Sequence, residues 1–184
     1  MTLRYTSIAL TGLGVLLFVT NWLVSGELSV VANYTSEYVH TRAGALTTLG
    51  FVVTGVGMLA AVRFYRPVGV FEIGLFVYSV LFALLALFPT DLPATHTRIG
   101  TIHTVIASLT IPLFPIMTGV ALALKPRVLS AELIVLPAIS LAALVLMGLG
   151  VASAPGIFQR VAIFSQIALV MSLVGRGRLL GDGL

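Results

Sequence analysis

Residues 6–25, TSIALTGLGVLLFVTNWLVS, contain no ionisable side chain. About 20 such residues in helical form cross the hydrocarbon core of a bilayer, and the chain returns to this pattern along its whole length. In hydrocarbon every backbone amide must find its partner within the segment, so each run is a helix. The stretches 6–25, 44–63, 68–87, 100–124, 131–151 and 157–174 therefore predict an all-α polytopic membrane protein, a bundle of six transmembrane helices in one domain. Composition agrees. Only 9% of the residues are charged and 59% are hydrophobic, where a soluble domain carries about 25% charged residues. The first run is longer than the apolar region of a signal peptide and shows no small-x-small cleavage site, so it reads as a span. RPVG, FPTDLP, KPR and SAPG mark turns between spans. Pro112 and Pro115 fall inside the fourth span and predict a kink there.

The cations set the orientation. If the connections are counted in order, Arg4, Arg63, Arg66, Lys125, Arg127, Arg176 and Arg178 fall at the termini or in even-numbered connections. Arg42, Arg98 and Arg160 fall in or beside the odd-numbered ones. Seven of the ten on one side predict that both termini are cytoplasmic. Basic residues placed at span ends, not in a run or along one face, are membrane topology and exclude a nucleic-acid footprint. Glu72 and Glu132 sit near the starts of cytoplasmic-side helices, where the helix dipole favours them without any functional role. The chain has no cysteine, which excludes disulfides, thiolate metal ligands and a cysteine nucleophile.

The remaining polar residues gather on the other side. Glu27, Asn33, Ser36, Glu37, His40 and Arg42 follow the first span. Asp91, His96, Arg98 and His103 lie between the third and fourth, and Gln159 and Arg160 open the sixth. All these connections are odd-numbered, so the sequence predicts a polar layer at the extracytoplasmic face built from three separated hairpin tips.

YTSEYVHTRAGALTTLGFVVTGVGML (34–59), LFPTDLP (87–93), GTIHTVIA (100–107) and FQRVAI (158–163), in that order, resemble the DUF998 family. These are multi-span membrane proteins of bacteria and archaea with no established function. By position, the family's Ser-Glu pair falls on Ser36 and Glu37, with Tyr38 where a leucine often follows. Its Phe-Pro-x-Asp falls on Phe88, Pro89 and Asp91, its histidine on His103, and its basic residue on Arg160. The resemblance implies a helical membrane fold in a prokaryotic plasma membrane, and no reaction.

Asp91, His103 and Glu37 are the candidate catalytic residues. A carboxylate beside an imidazole fixes its tautomer and raises its basicity, an arrangement suited to general-base work or metal support. The same three residues form a candidate divalent-metal set with open positions for water. Arg160 and Ser36 are candidate ligand-binding residues. A guanidinium matches phosphate or carboxylate geometry, and at a helix N-terminus, where the dipole disfavours a cation, Arg160 needs a partner. The bland alternatives are specific. Asp91 caps the fourth helix or pairs with Arg98 or Arg160, and His103 donates to a carbonyl. Arg160 makes a structural salt bridge, and Ser36 and Glu37 cap a short surface helix. Haem is disfavoured, because there is no attachment motif and no opposed mid-span histidine pair.

Three functions compete. The first is an enzyme acting on, or a site binding, a lipid headgroup or other small anionic ligand at the outer leaflet. The second is a transporter with a polar vestibule. The third is an accessory subunit whose polar layer is an ion-pair clasp. Ionisable groups clustered at one face argue against transport, which places them near the midplane. Membrane lipids are the expected partners; a protein partner or a second copy of this chain stays open.

Overall fold

The computed structural model describes residues 2–64, 70–92, 95–124, 131–150 and 154–176. Among the described residues six α-helices follow in order: α1 Thr2–Ser25, α2 Gly44–Phe64, α3 Val70–Leu84, α4 Arg98–Leu124, α5 Ala131–Gly148 and α6 Pro155–Arg176. A short 3₁₀ helix, Thr35–His40, lies between α1 and α2. Among the described residues there is no strand. α1, α2, α4, α5 and α6 are long and apolar enough to cross a membrane, which makes this a multi-pass helical membrane protein. α3 is apolar but has 15 residues, about 22 Å at 1.5 Å per residue, against about 30 Å of hydrocarbon. The chain coils on past its end: Leu85 N–H bonds the Leu81 carbonyl at 3.2 Å, and Ala86 and Leu87 bond three residues back. Of the cations used for orientation, Arg66, Lys125, Arg127 and Arg178 lie outside the described residues, as do the side chains of Arg63 and Arg176.

Small residues set the helix spacing, as they do where apolar side chains gain nothing by leaving lipid. A Cβ on Gly14 would fall 2.0 Å from Thr54 Oγ1, and one on Gly57 would fall 2.5 Å from Thr11 Oγ1, so α1 and α2 touch almost backbone to backbone. Gly55 plays the same part against Ser79 and Ala83 of α3. Inside this frame Phe18, Phe51 and Phe82 stack edge-on, with centroids 5.0 Å apart for the first pair. Tyr78 continues the cluster to Phe114 of α4 at 5.0 Å.

Pro115 has no N–H for the Ile111 carbonyl one turn earlier. Gln166 of α6 supplies the donor instead: its Nε2 lies 2.8 Å from that carbonyl and 2.7 Å from Ser140 Oγ of α5. One amide thus ties three helices together beside Pro115. At one end of the bundle, Arg4 of α1 donates to the Gly175 carbonyl of α6, which sets the first turn of α1 beside the last turn of α6.

Candidate functional site

α1 ends at Gly26, whose φ of +60° closes the helix in the left-handed region. The chain then loops back over the bundle end. Asn21, fully buried on α1, donates to the Tyr38 carbonyl at 3.2 Å and to Thr47 Oγ1 of α2 at 2.8 Å. This amide is what seats the 3₁₀ helix. Glu37 turns its carboxylate back onto the start of that helix, and Oε2 accepts from Tyr34 N–H at 2.9 Å and from Asn33 Nδ2 at 2.7 Å. Tyr38 donates its hydroxyl to the Leu28 carbonyl at 2.9 Å. Burial pushes that hydroxyl above the ordinary phenol range, while the nearby Arg160 charge pulls it down.

The first connection docks on the start of α6. Ile157 N–H, in the first turn of α6, is shared between the Ala154 carbonyl at 3.1 Å and the Val31 carbonyl at 3.3 Å. Gln159 Oε1 accepts from Thr35 N–H at 2.8 Å. Arg160 Nη1 donates to the Val30 and Asn33 carbonyls at 2.5 and 2.8 Å. The guanidinium carbon lies 4.6 Å from the Trp22 ring centre and 5.4 Å from that of Tyr38. The partners that offset an unfavourable helix dipole are therefore carbonyl oxygens and aromatic faces.

The third connection carries its own clamp. Thr97 is the N-cap of α4, and its hydroxyl accepts from Gly100 N–H at 3.0 Å. Asp91 holds this cap from behind, with Oδ2 accepting from Thr97 N–H at 2.7 Å and Oδ1 from the Thr97 hydroxyl at 2.8 Å. Those two donors hold the Asp91 carboxyl below the usual range. The carboxylate packs so tightly on Gly100 that a Cβ there would fall 2.1 Å away. One turn into α4, His103 is buried, and its Nδ1 lies 2.6 Å from the Phe88 carbonyl. A carbonyl only accepts, so Nδ1 carries the proton and Nε2 is the ring's acceptor. His40 Nε2 bonds the Thr90 carbonyl, joining the first connection to the third.

These contacts bring the first and third connections and the start of α6 together around a cavity of about 650 Å³. Ser36, Glu37, Asp91, His96, His103 and Gln159 line its polar end. Its apolar end runs down α4 past Ala107 to Ile111 and Pro112, and across to Leu144 and Met147 of α5. Arg160 does not line it. Asp91, Glu37 and His103 share the wall without forming a ligand set: among the described residues no three His, Asp or Glu side chains are placed to hold a metal ion. Each already has a structural partner, Glu37 in the 3₁₀ helix, Asp91 at Thr97, and His103 at the Phe88 carbonyl.

Thr97 and Asn21, which build the site, and Gln166, which ties α6 to α4 and α5, each carry a signal in the sequence. Thr97 is a threonine directly before an apolar helix, the ordinary N-cap signal. Asn21 and Gln166 are amides within spans, where a polar side chain has to face a protein partner.

No curated protein and no solved structure matches this chain. The family model described as "Protein of unknown function (DUF998)" matches residues 8–176. With nearly its full length matched, the chain belongs to the DUF998 family.

Proposed function

We propose that this DUF998 protein is a six-span bundle of the prokaryotic cell membrane, with both termini in the cytoplasm, that receives a membrane amphiphile in its extracytoplasmic cavity. The observation that carries this reading is the shape of that cavity. Glu37 from the first connection and Asp91 and His103 from the third connection and the start of α4 line one end, and apolar side chains of α4 and α5 line the other. A cavity of this size lies within the about 300–1,000 Å³ of small-molecule sites, and a polar end with an apolar trough matches a headgroup with its tail. The contact between Arg4 and Gly175, at opposite ends of the chain, supports placing both termini on one side.

In this reading Ser36, Glu37 and Asp91 hold the headgroup. His103, with Nε2 as acceptor, is the group able to take a proton from water or a headgroup hydroxyl. Arg160 acts as a positioning residue, holding the first connection on α6 so that Glu37 faces the cavity. The test is native mass spectrometry of the purified protein with the lipids it retains. Ser108→Phe, which fills the cavity from α4, should abolish retention while the protein stays folded. Retention unchanged by that substitution would remove the amphiphile reading.

A further inference from the structure

We infer that the cavity takes an amphiphile whose headgroup carries a positively charged amine, seated against Glu37 with its tail along α4 and α5. The inference rests on the amphiphile reading of this cavity and adds the charge of the headgroup.

The wall decides the charge. Among the described lining residues there is no lysine or arginine; the charged side chains are the carboxylates of Glu37 and Asp91. A phosphate or carboxylate headgroup would meet like charge there, with no guanidinium or ammonium in the lining to offset it. Arg160, the cation a bound anion would need, is not among the lining residues: Nη1 lies on the Val30 and Asn33 carbonyls, and the guanidinium carbon is 4.6 Å from the Trp22 ring centre. Among the described residues Arg160 and Glu37 form no ion pair.

Glu37 is the anchor. It is 6% exposed. Oε2 takes two donors, from Asn33 and Tyr34, and Oε1 has no bond among the described residues. A carboxylate with an oxygen left over, on a side chain that lines the cavity, calls for a charge-assisted donor. Asp91 keeps its charge while its oxygens are occupied by Thr97, so it adds negative potential without competing for the same amine. His103, 4% exposed, adds an acceptor nitrogen to the same wall. The carboxylates of Glu37 and Asp91 are the charged groups of this end, and an ammonium is the headgroup charge that answers them.

The experiment uses the full-length protein in detergent with four probes: phosphatidylethanolamine, dodecylamine, phosphatidylglycerol and dodecyl phosphate. Binding is read by native mass spectrometry and by the shift in unfolding temperature. The wild type should hold the two amines about 10-fold or more tighter than the two anions, the scale of one charge-assisted hydrogen bond. The pair of amines separates a phospholipid source from a simple long-chain amine. Glu37→Gln keeps an acceptor for Tyr34 and Asn33 and removes the charge, so the preference should fall towards unity. The wild-type ranking decides the matter even where that variant fails to fold. A preference for either anion, or an amine preference unchanged in folded Glu37→Gln, overturns the amine inference and leaves the amphiphile reading in place. Binding of none of the four probes, or binding of them that Ser108→Phe leaves intact, overturns the amphiphile reading and the inference with it.

Discussion

The side-chain amide of Gln166 fills the hydrogen bond that Pro115 denies to Ile111, with Nε2 2.8 Å from the carbonyl across the α4–α6 interface. Bonds of this kind between membrane helices contribute about 0.6 kcal/mol on average and up to about 1.7 kcal/mol. Gln166→Leu should cost about that much in thermal stability. Pro115→Ala returns an N–H to the Ile111 carbonyl, so Gln166→Leu should cost less in that background. A double-mutant cycle on unfolding temperature measures the coupling, and strictly additive effects would show that the amide does not stand in for the missing donor.

Asp91 is read through its cap. Gly100→Ala places a methyl where the carboxylate now lies, so it should displace Asp91 and weaken the α4 cap, at about 1 kcal/mol. Asp91→Asn keeps an acceptor for the Thr97 hydroxyl and should cost less. Circular dichroism melts of the two variants check the order.

The same carboxylate gives a pH dependence. Its native pKa lies below the usual value because Thr97 donates twice to the charged form. A depressed carboxylate contributes stability that is fully present above its unfolded pKa of about 3.9 and is lost as pH falls through the native value. Wild type and Asp91→Asn should therefore differ by a constant amount from pH 7 to about 5 and converge below about pH 4. Melting temperatures across that range provide the measurement; a gap that closes near pH 6 would point to another group.

Arg160 makes two carbonyl bonds and two ring contacts that a lysine does not reproduce with its single ammonium. Arg160→Lys should destabilise the protein by about 1–3 kcal/mol and speed hydrogen exchange across residues 29–37. Exchange accelerated everywhere alike would mean that Arg160 supports the bundle as a whole and not the first connection.

The absence of cysteine makes topology simple to test. Ala32→Cys and Thr95→Cys, both exposed in odd-numbered connections, should react with an impermeant maleimide in intact cells. Ala131→Cys should react only after the membrane is opened.

How much of this the sequence contained differs by level. Five of the six predicted spans match helices long and apolar enough to cross a bilayer, because a bilayer accepts only segments that bond internally, while α3 is shorter than the third span predicted. The gathering of the odd-numbered connections followed from counting crossings, and the contacts of Arg160 with Val30 and of His40 with Thr90 bring those connections together. The candidates Ser36, Glu37, Asp91 and His103 do share one cavity wall. Which oxygen bonds which donor was not legible. Helices that are apolar on every side carry little periodic signal of how they are rotated, so no spacing rule turns Asp91 onto Thr97 or Arg160 onto carbonyls. The sequence by itself determined a helical membrane protein with its polar groups sorted by connection. Only the tertiary structure decided which of them face a common cavity and which are consumed in holding it open, because that depends on helix rotation and on approaches of a few ångströms between segments far apart in the chain.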